Sequence, residues 1–194
     1  MEIIIERHNP AWLAEFKRVE KELQDILADV PIVSIEHLGS TSVPDLVAKP
    51  ILDIVISATS ENLNAACDAM VKGGYEARGD QGIPHRYAFR QPGYQTADSN
   101  GYGIGGKNCE MKRNTYVAVD GSLSTRNQRD LKRILLENDG LRQEYGEAKK
   151  RLVSGGVKDI DDYCIGKTET ILKILKVAGW NDGDLGEVRR VNTF

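Results

Sequence analysis

The chain has 194 residues, enough for one substantial domain or a domain with a helical appendage. Its 40% hydrophobic and 28% charged content is ordinary for a soluble globular protein, and a formal net charge of −3 gives no reason to expect non-specific nucleic-acid binding. The longest apolar runs, such as "PILDIVISA", stop far short of a membrane span, and "MEIIIERHNP" lacks a secretory pattern, so a cytoplasmic protein without a membrane partner is expected.

"MEIIIE" begins a strand or an ordered arm. Asn9 then suits an N-cap, with Pro10 at the first helical position. Trp12, Leu13, Phe16, Val19, Leu23, Ile26 and Leu27 recur at helical spacing and predict an amphipathic helix over 10–29, ended by Pro31. "IVSIEHL" reads as a strand, and "PILDIVIS" as a second whose nearly continuous apolar character fits cover on both faces. Ser60 suits the cap of a helix carrying Leu63, Ala66, Cys67, Met70 and Val71 on one face and closed by Gly73 and Gly74. "YEAR" and "RYAFR" are short strands joined by the turn "GDQGIPH".

Residues 92–108 form a glycine-rich stretch of the kind that makes a functional or mobile loop. "EMKRNTYVAV" is a further strand. Helical patterns then cover 123–137, 139–153 and 159–178, and "NDGDLGEVRRVNTF" shows no strong periodicity. The expected architecture is one α/β (α+β) domain over 1–194. It comprises a small mixed sheet with an N-terminal helix (1–120), a packed helical region (121–180) and a tail (181–194).

Cys67, Cys109 and Cys164 are too far apart in sequence for a C-x-x-C metal site and suit free thiols. "KKR" at Lys149–Arg151 is a candidate basic patch that reads more simply as a solvated helix face. Gly101, Gly103 and Gly106 lack the strand-before, helix-after context of a dinucleotide fingerprint. "DDYCIGKT" lacks the first glycine of a P-loop, leaving Lys167 as a helix lysine that snorkels or reaches a pocket. A serine hydrolase pairing His37 with Ser40 or Ser42 has no nucleophile-elbow sequence to support it.

The spacing that carries chemistry is Leu38-Gly39-Ser40, twelve residues, then Asp53. A glycine after a strand permits a sharp turn whose backbone N–H groups approach a phosphate. Ser40, Thr41 and Ser42 add hydroxyls, and a short helix starting there presents unpaired N–H groups to an anion. Lys49 neutralises phosphate charge, and Asp53 on the next strand is a hard oxygen ligand suited to Mg2+. An acid inside an apolar strand is costly unless it meets a metal, a hydrogen-bond network or water, which places Asp53 at the strand end.

This passage resembles the nucleotidyltransferase superfamily, whose signature is hydrophobic-Gly-Ser followed by acid-hydrophobic-acid. More narrowly, "EHLGSTSVP", "AKPILDI", "GYEARGDQGIPHR", "RDLKRILLENDGLRQEYGEAKKRL" and a late "GKT" resemble the GrpB family of bacteria over roughly residues 8–178. The resemblance implies a sheet of nucleotidyltransferase type, binding of a nucleoside triphosphate with Mg2+, and transfer of a nucleotidyl group to an unknown acceptor. It assigns catalysis to Asp53, as metal ligand, and Asp80. Gly39, Ser40, Thr41, Ser42, Lys49, Arg78 and Arg86 would hold the nucleotide, and the acceptor would approach past Arg78, Asp80 and Arg86. Two departures matter: Val55 occupies the place of the second acid, and Asn114 and Tyr116 stand where many relatives have histidines. Glu110 and Asp120 are the remaining candidates for a further acid. The alternative is a non-catalytic nucleotide-binding or regulatory module that keeps the GSTS cradle.

Overall fold

Alternation along one strand, β2 (Leu52–Ala58), divides the protein. The computed structural model describes residues 3–93, 110–157 and 159–193, so most of the glycine-rich stretch expected as a loop, with Cys109, lies outside the described residues. Leu52, Ile54, Ile56 and Ala58 point to one face of the sheet. There they meet Trp12, Phe16, Val19 and Leu23 of α1 (Ala11–Ile26) and Ala66 and Met70 of α2 (Leu63–Lys72). Asp53 and Val55 point the other way, toward the C-terminal helices. Period 2 in the strand and period 3.6 in α1 thus build one core and leave the opposite face for chemistry.

The sheet also contains β1 (Ser34–Leu38), β3 (Glu76–Ala77), β4 (Arg86–Arg90) and β5 (Arg113–Val119), in the order β1-β2-β5-β4-β3. β2 and β5 are parallel and the other neighbours antiparallel, so the sheet is mixed as expected. The N-terminal segment is an ordered arm, bridged to the chain before β2 through Glu6 and Ala48. Asn9 Oδ1 accepts the Ala11 N–H at 3.0 Å, and Pro10, expected as the first helical residue, stands at the N-cap of α1. α2 begins at Leu63 after Asn62 rather than at Ser60.

Four further helices follow: α3 (Leu123–Glu137), α4 (Asp139–Ser154), α5 (Ile160–Val177) and α6 (Asp182–Asn192). Side chains of Ser122, Asn138, Asp159 and Asn181 each cap the helix that follows, accepting an N–H from its first turn. The stretch read as a tail is therefore a helix. Asn181 caps it, Asp182 and Asp184 complement its N-terminal dipole and Arg189 and Arg190 its C-terminal one. Its Val188 packs on Leu172 and Leu175 of α5. Gly183 and Gly186 interrupt this short apolar stripe and hide its period.

Two contacts seat the helical third on the sheet. Arg129 of α3 donates to Glu36 of β1 (2.8 Å), to Asp120 (2.7 Å) and to Ser57 of β2 (3.0 Å). Val43 and Leu46, from the chain between β1 and β2, are buried among Ile134, Leu135, Leu141, Tyr145 and Ile174. No helix among the described residues is long and apolar enough to cross a membrane.

Leu23 of α1 is fully buried against this sheet. Leu23→Ala should lower unfolding free energy by about 3 kcal/mol, read as a reduced urea midpoint with an unchanged slope.

Candidate functional site

The turn after β1 is held tightly. Gly39 has φ of +71°, and a Cβ built there would lie 2.1 Å from Asp53 Oδ2. Only glycine lets the backbone pass this close to the carboxylate. Asp53 pairs with Leu38 on one side and Asn114 on the other, at the second residue of β2. Its Oδ1 accepts the Asn114 side-chain amide at 2.9 Å. Burial pushes its carboxyl up from the usual range, against the opposing pull of that hydrogen bond and of Lys167, Lys49 and Lys149.

The expected helix at the turn is a three-residue 3-10 turn, Ser40–Ser42. The N–H groups of Ser42 and Val43 donate to Gly39 O and Ser40 O, so they are not free for an anion. The three hydroxyls also diverge. Thr41 Oγ1 donates to Ile51 O (3.2 Å) and lies 2.9 Å from His37 Nε2, while Ser42 Oγ donates back to Gly39 O (2.7 Å). Ser40 alone turns its hydroxyl to the neighbouring helices. Of the three hydroxyls expected to form the cradle, the Thr41 and Ser42 hydroxyls bond within the protein and the Ser40 hydroxyl turns to α4.

Ser40 Oγ accepts a 2.7 Å hydrogen bond from Lys149 Nζ, which also donates to Val47 O at 2.7 Å. Lys149 is 1% exposed, and its nitrogen lies 4.3 Å from the centre of the Tyr145 ring. Burial lowers its affinity for a proton, as does Lys167, while Asp53 opposes. The reading of "KKR" as a solvated face therefore fails at Lys149. The missed signal is the spacing Leu141, Tyr145, Lys149, which puts the lysine on the inward face of α4.

Around Ser40, Asp53 and Lys149 lies a cavity of about 550 Å³, closed on the far side by Tyr163, Cys164 and Lys167 of α5. Lys49 lines it too, and burial followed by the Lys167 charge brings its amine down to about 8. The Lys49 and Lys167 nitrogens lie 5.8 and 4.3 Å from the Tyr163 ring centre. A second cavity of about 280 Å³ shares Ser40, Asp53, Tyr116 and Lys167 with the first and continues to Arg86. The structure thus brings together Gly39, Ser40, Lys49, Asp53 and Arg86 of the expected set, and Thr41 lines the wall with its hydroxyl engaged.

Arg78, Asp80 and Ser42 line neither cavity. The Arg78 guanidinium pairs with exposed Glu76 at 2.9 Å, and Asp80 accepts the Gly82 N–H at 3.0 Å within its own turn. Gln81 lines the larger cavity in their place. Glu110 pairs with Arg113 and Arg18, and Asp120 with Arg129, so both acids hold structural arginines. Val55 is buried with Leu38 and Ala118. His37 is stacked on Phe16 at 5.0 Å and bonded to Thr41, not to Ser40 or Ser42, which removes the hydrolase pairing. Cys67 and Cys164 are half-buried free thiols.

Among the described residues, no group of three His, Cys, Asp or Glu side chains could hold a metal ion. The donor set at the site is one carboxylate, already bonded to Asn114 and faced by lysines. It does not fit a resident pair of ions.

Residues 2–177 match the protein-family model described as GrpB protein. The UPF0157 protein YqkA of Bacillus subtilis is 30% identical over 88% of this chain, which spans 45% of that relative's length. The crystal structure of conserved protein GrpB from Enterococcus faecalis has a TM-score of 0.70 at 25% identity, covering 91% of this chain and 100% of that one. The Cid1 poly(U) polymerase has a TM-score of 0.47 at 11% identity, over 86% of this chain and 49% of that one.

Gly39→Ala should destabilise the fold by about 2–4 kcal/mol in urea unfolding, because a positive φ and a carboxylate clash act together. His37 is held down to about 4 by burial, then by Lys132 and His8. Its folded value lies below its unfolded one, so the unfolded chain binds the extra proton. Stability is then complete above pH 6.5 and falls as pH drops toward 4, by up to about 3 kcal/mol from this group. Unfolding at pH 7, 6 and 5 should show that slope, and His37→Asn should flatten it.

Proposed function

The chain belongs to the GrpB family, and we propose that it binds a nucleoside triphosphate with Mg2+ and transfers a nucleotidyl group to an acceptor. The observation that carries this reading is the convergence of Lys49, Lys149 and Lys167 with Ser40 across one cavity from Asp53. Three lysine amines, two of them with proton affinity lowered by burial, line this space of about 550 Å³ together with Asp53 and Asp161. The volume is within the usual range for a small-molecule site, and a bound polyanion would favour the charged amines. An ammonium has three donors. Lys149 spends two on Ser40 and Val47, which leaves the third for a phosphate oxygen.

In this reading the phosphates lie along Ser40, Lys149 and Lys167, with Lys49 at the rim. Asp53 would hold a Mg2+ that arrives with the triphosphate and draws charge from the phosphate oxygens. The acceptor oxygen bonds to the α-phosphorus, the bond to the bridging oxygen breaks, and pyrophosphate leaves with that electron pair. The acceptor's proton leaves to water, since Asp53, with Oδ1 held by Asn114, has only Oδ2 for the ion. Lys149 and Lys167 stabilise the charge that builds on the leaving pyrophosphate.

Val55 favours a second reading. A buried valine stands where the second acid of the superfamily signature would be, which supports a module that binds nucleotide without transfer.

Calorimetry with ATP and Mg2+, paired with labelled-nucleotide transfer onto a metabolite and protein panel, separates the two. Lys149→Met and Lys167→Met should each weaken ATP binding by about 10-fold or more, with circular dichroism confirming the fold. Asp53→Asn should abolish transfer. Binding with no transfer by the wild type selects the module, and no nucleotide binding at all defeats both readings.

A further inference from the structure

Arg86 opens β4 and is 8% exposed. Its Nη2 donates to Gln81 Oε1 at 3.3 Å, and its Nε is buried with no acceptor among the described residues. The guanidinium carbon lies 4.4 Å from the centre of the Tyr116 ring, so that ring holds it in place. The two acids whose charge reaches it are both engaged elsewhere: Asp53 with Asn114, and Asp80 with the Gly82 N–H. Unlike Arg113 and Arg129, which bind carboxylates, Arg86 has no ion pair among the described residues.

A guanidinium stays charged under all ordinary conditions, and a buried one without a partner is expensive. Its planar fork matches a carboxylate or phosphate in two hydrogen bonds. The space before it supports such a partner. The cavity of about 280 Å³ also carries the side chains of Ser124, Asn127 and Gln128 from α3, all able to donate to an oxyanion. Asp53, Tyr116 and Lys167 form a wall common to this cavity and the larger one, so a molecule held here lies beside the reacting centre.

We propose that the smaller cavity is a second oxyanion site, in which Arg86 grips a carboxylate or phosphate of the acceptor. The existence of the site stands on Arg86 itself; assigning its occupant as the acceptor rests on the nucleotidyl-transfer reading. The acceptor is thus a small acid or a phosphate ester that offers its nucleophile toward Asp53. Arg86 acts by holding the acceptor, while the triphosphate lies on the Lys149 side.

The test follows the arginine Nε–H signals of the full chain by NMR while inorganic phosphate is titrated, with and without saturating ATP. The Arg86 signal, identified by its loss in Arg86→Met, should shift saturably in both conditions. Arg86→Met should weaken phosphate binding in the presence of ATP by 10-fold or more. Arg86→Lys keeps the charge and removes the fork, and should weaken it by several-fold, which guards against misfolding of the first variant. An Arg86 signal indifferent to phosphate, or phosphate affinity unchanged in Arg86→Lys, overturns the proposal. So does complete displacement of phosphate by ATP. If ATP does not bind, an Arg86-dependent phosphate response sustains the oxyanion site and discards the transfer reading alone. With the site established, a panel of carboxylates and phosphate esters offered to ATP-loaded protein should separate the two acceptor classes.

Discussion

The hydrogen bond from Lys149 to Ser40 is the contact on which the site depends. It joins α4 in the helical third to the turn between β1 and β2, across 109 residues of sequence. A lysine at 1% exposure gives up most of its hydration, and the two oxygens and one aromatic face around it offset only part of that loss. In the proposed reading, the oxygens of a bound anion make up the remaining deficit. The same contact lies in the wall of the larger cavity, which Tyr163 and Lys167 of α5 also line.

Asp53 is the counterweight. Within the two cavities it faces lysines from the chain before β2, from α4 and from α5; its charge raises the proton affinity of Lys49 and Lys149, and the three lysines together lower its own. Gly39 permits the close approach that fixes the carboxylate, and Asn114 fixes its rotation. In the proposed reading, phosphate recognition leans on lysine and arginine more than on metal. The unpaired Arg86 extends that arrangement to the neighbouring cavity.

Much of this was legible in the sequence. The period of α1, the near-continuous apolar run of β2 and the helical patterns over 123–137 and 139–153 gave those elements their places. The Leu-Gly-Ser spacing led directly to Asp53, because a strand, a glycine turn and a returning strand admit few geometries. The local bonds of the Thr41 and Ser42 hydroxyls were not legible, because they depend on how the three-residue turn closes on Gly39 O and Ile51 O. Lys149 was missed because a triplet of basic residues looks solvated until the helix is placed on its neighbours. Arg78 and Asp80 carried the right chemistry in the right segment, yet the turn aims them at Glu76 and Gly82 while Gln81 and Arg86 point inward. Such differences depend on packing between distant segments, which local pattern does not encode.

A crystal structure of the chain with inorganic triphosphate measures the central claim most directly. The account predicts triphosphate density in the larger cavity, with oxygens within hydrogen-bond distance of Lys149 Nζ and Ser40 Oγ and the Lys149–Ser40 contact preserved. Triphosphate bound elsewhere on the surface, with this cavity filled by water alone, would contradict it.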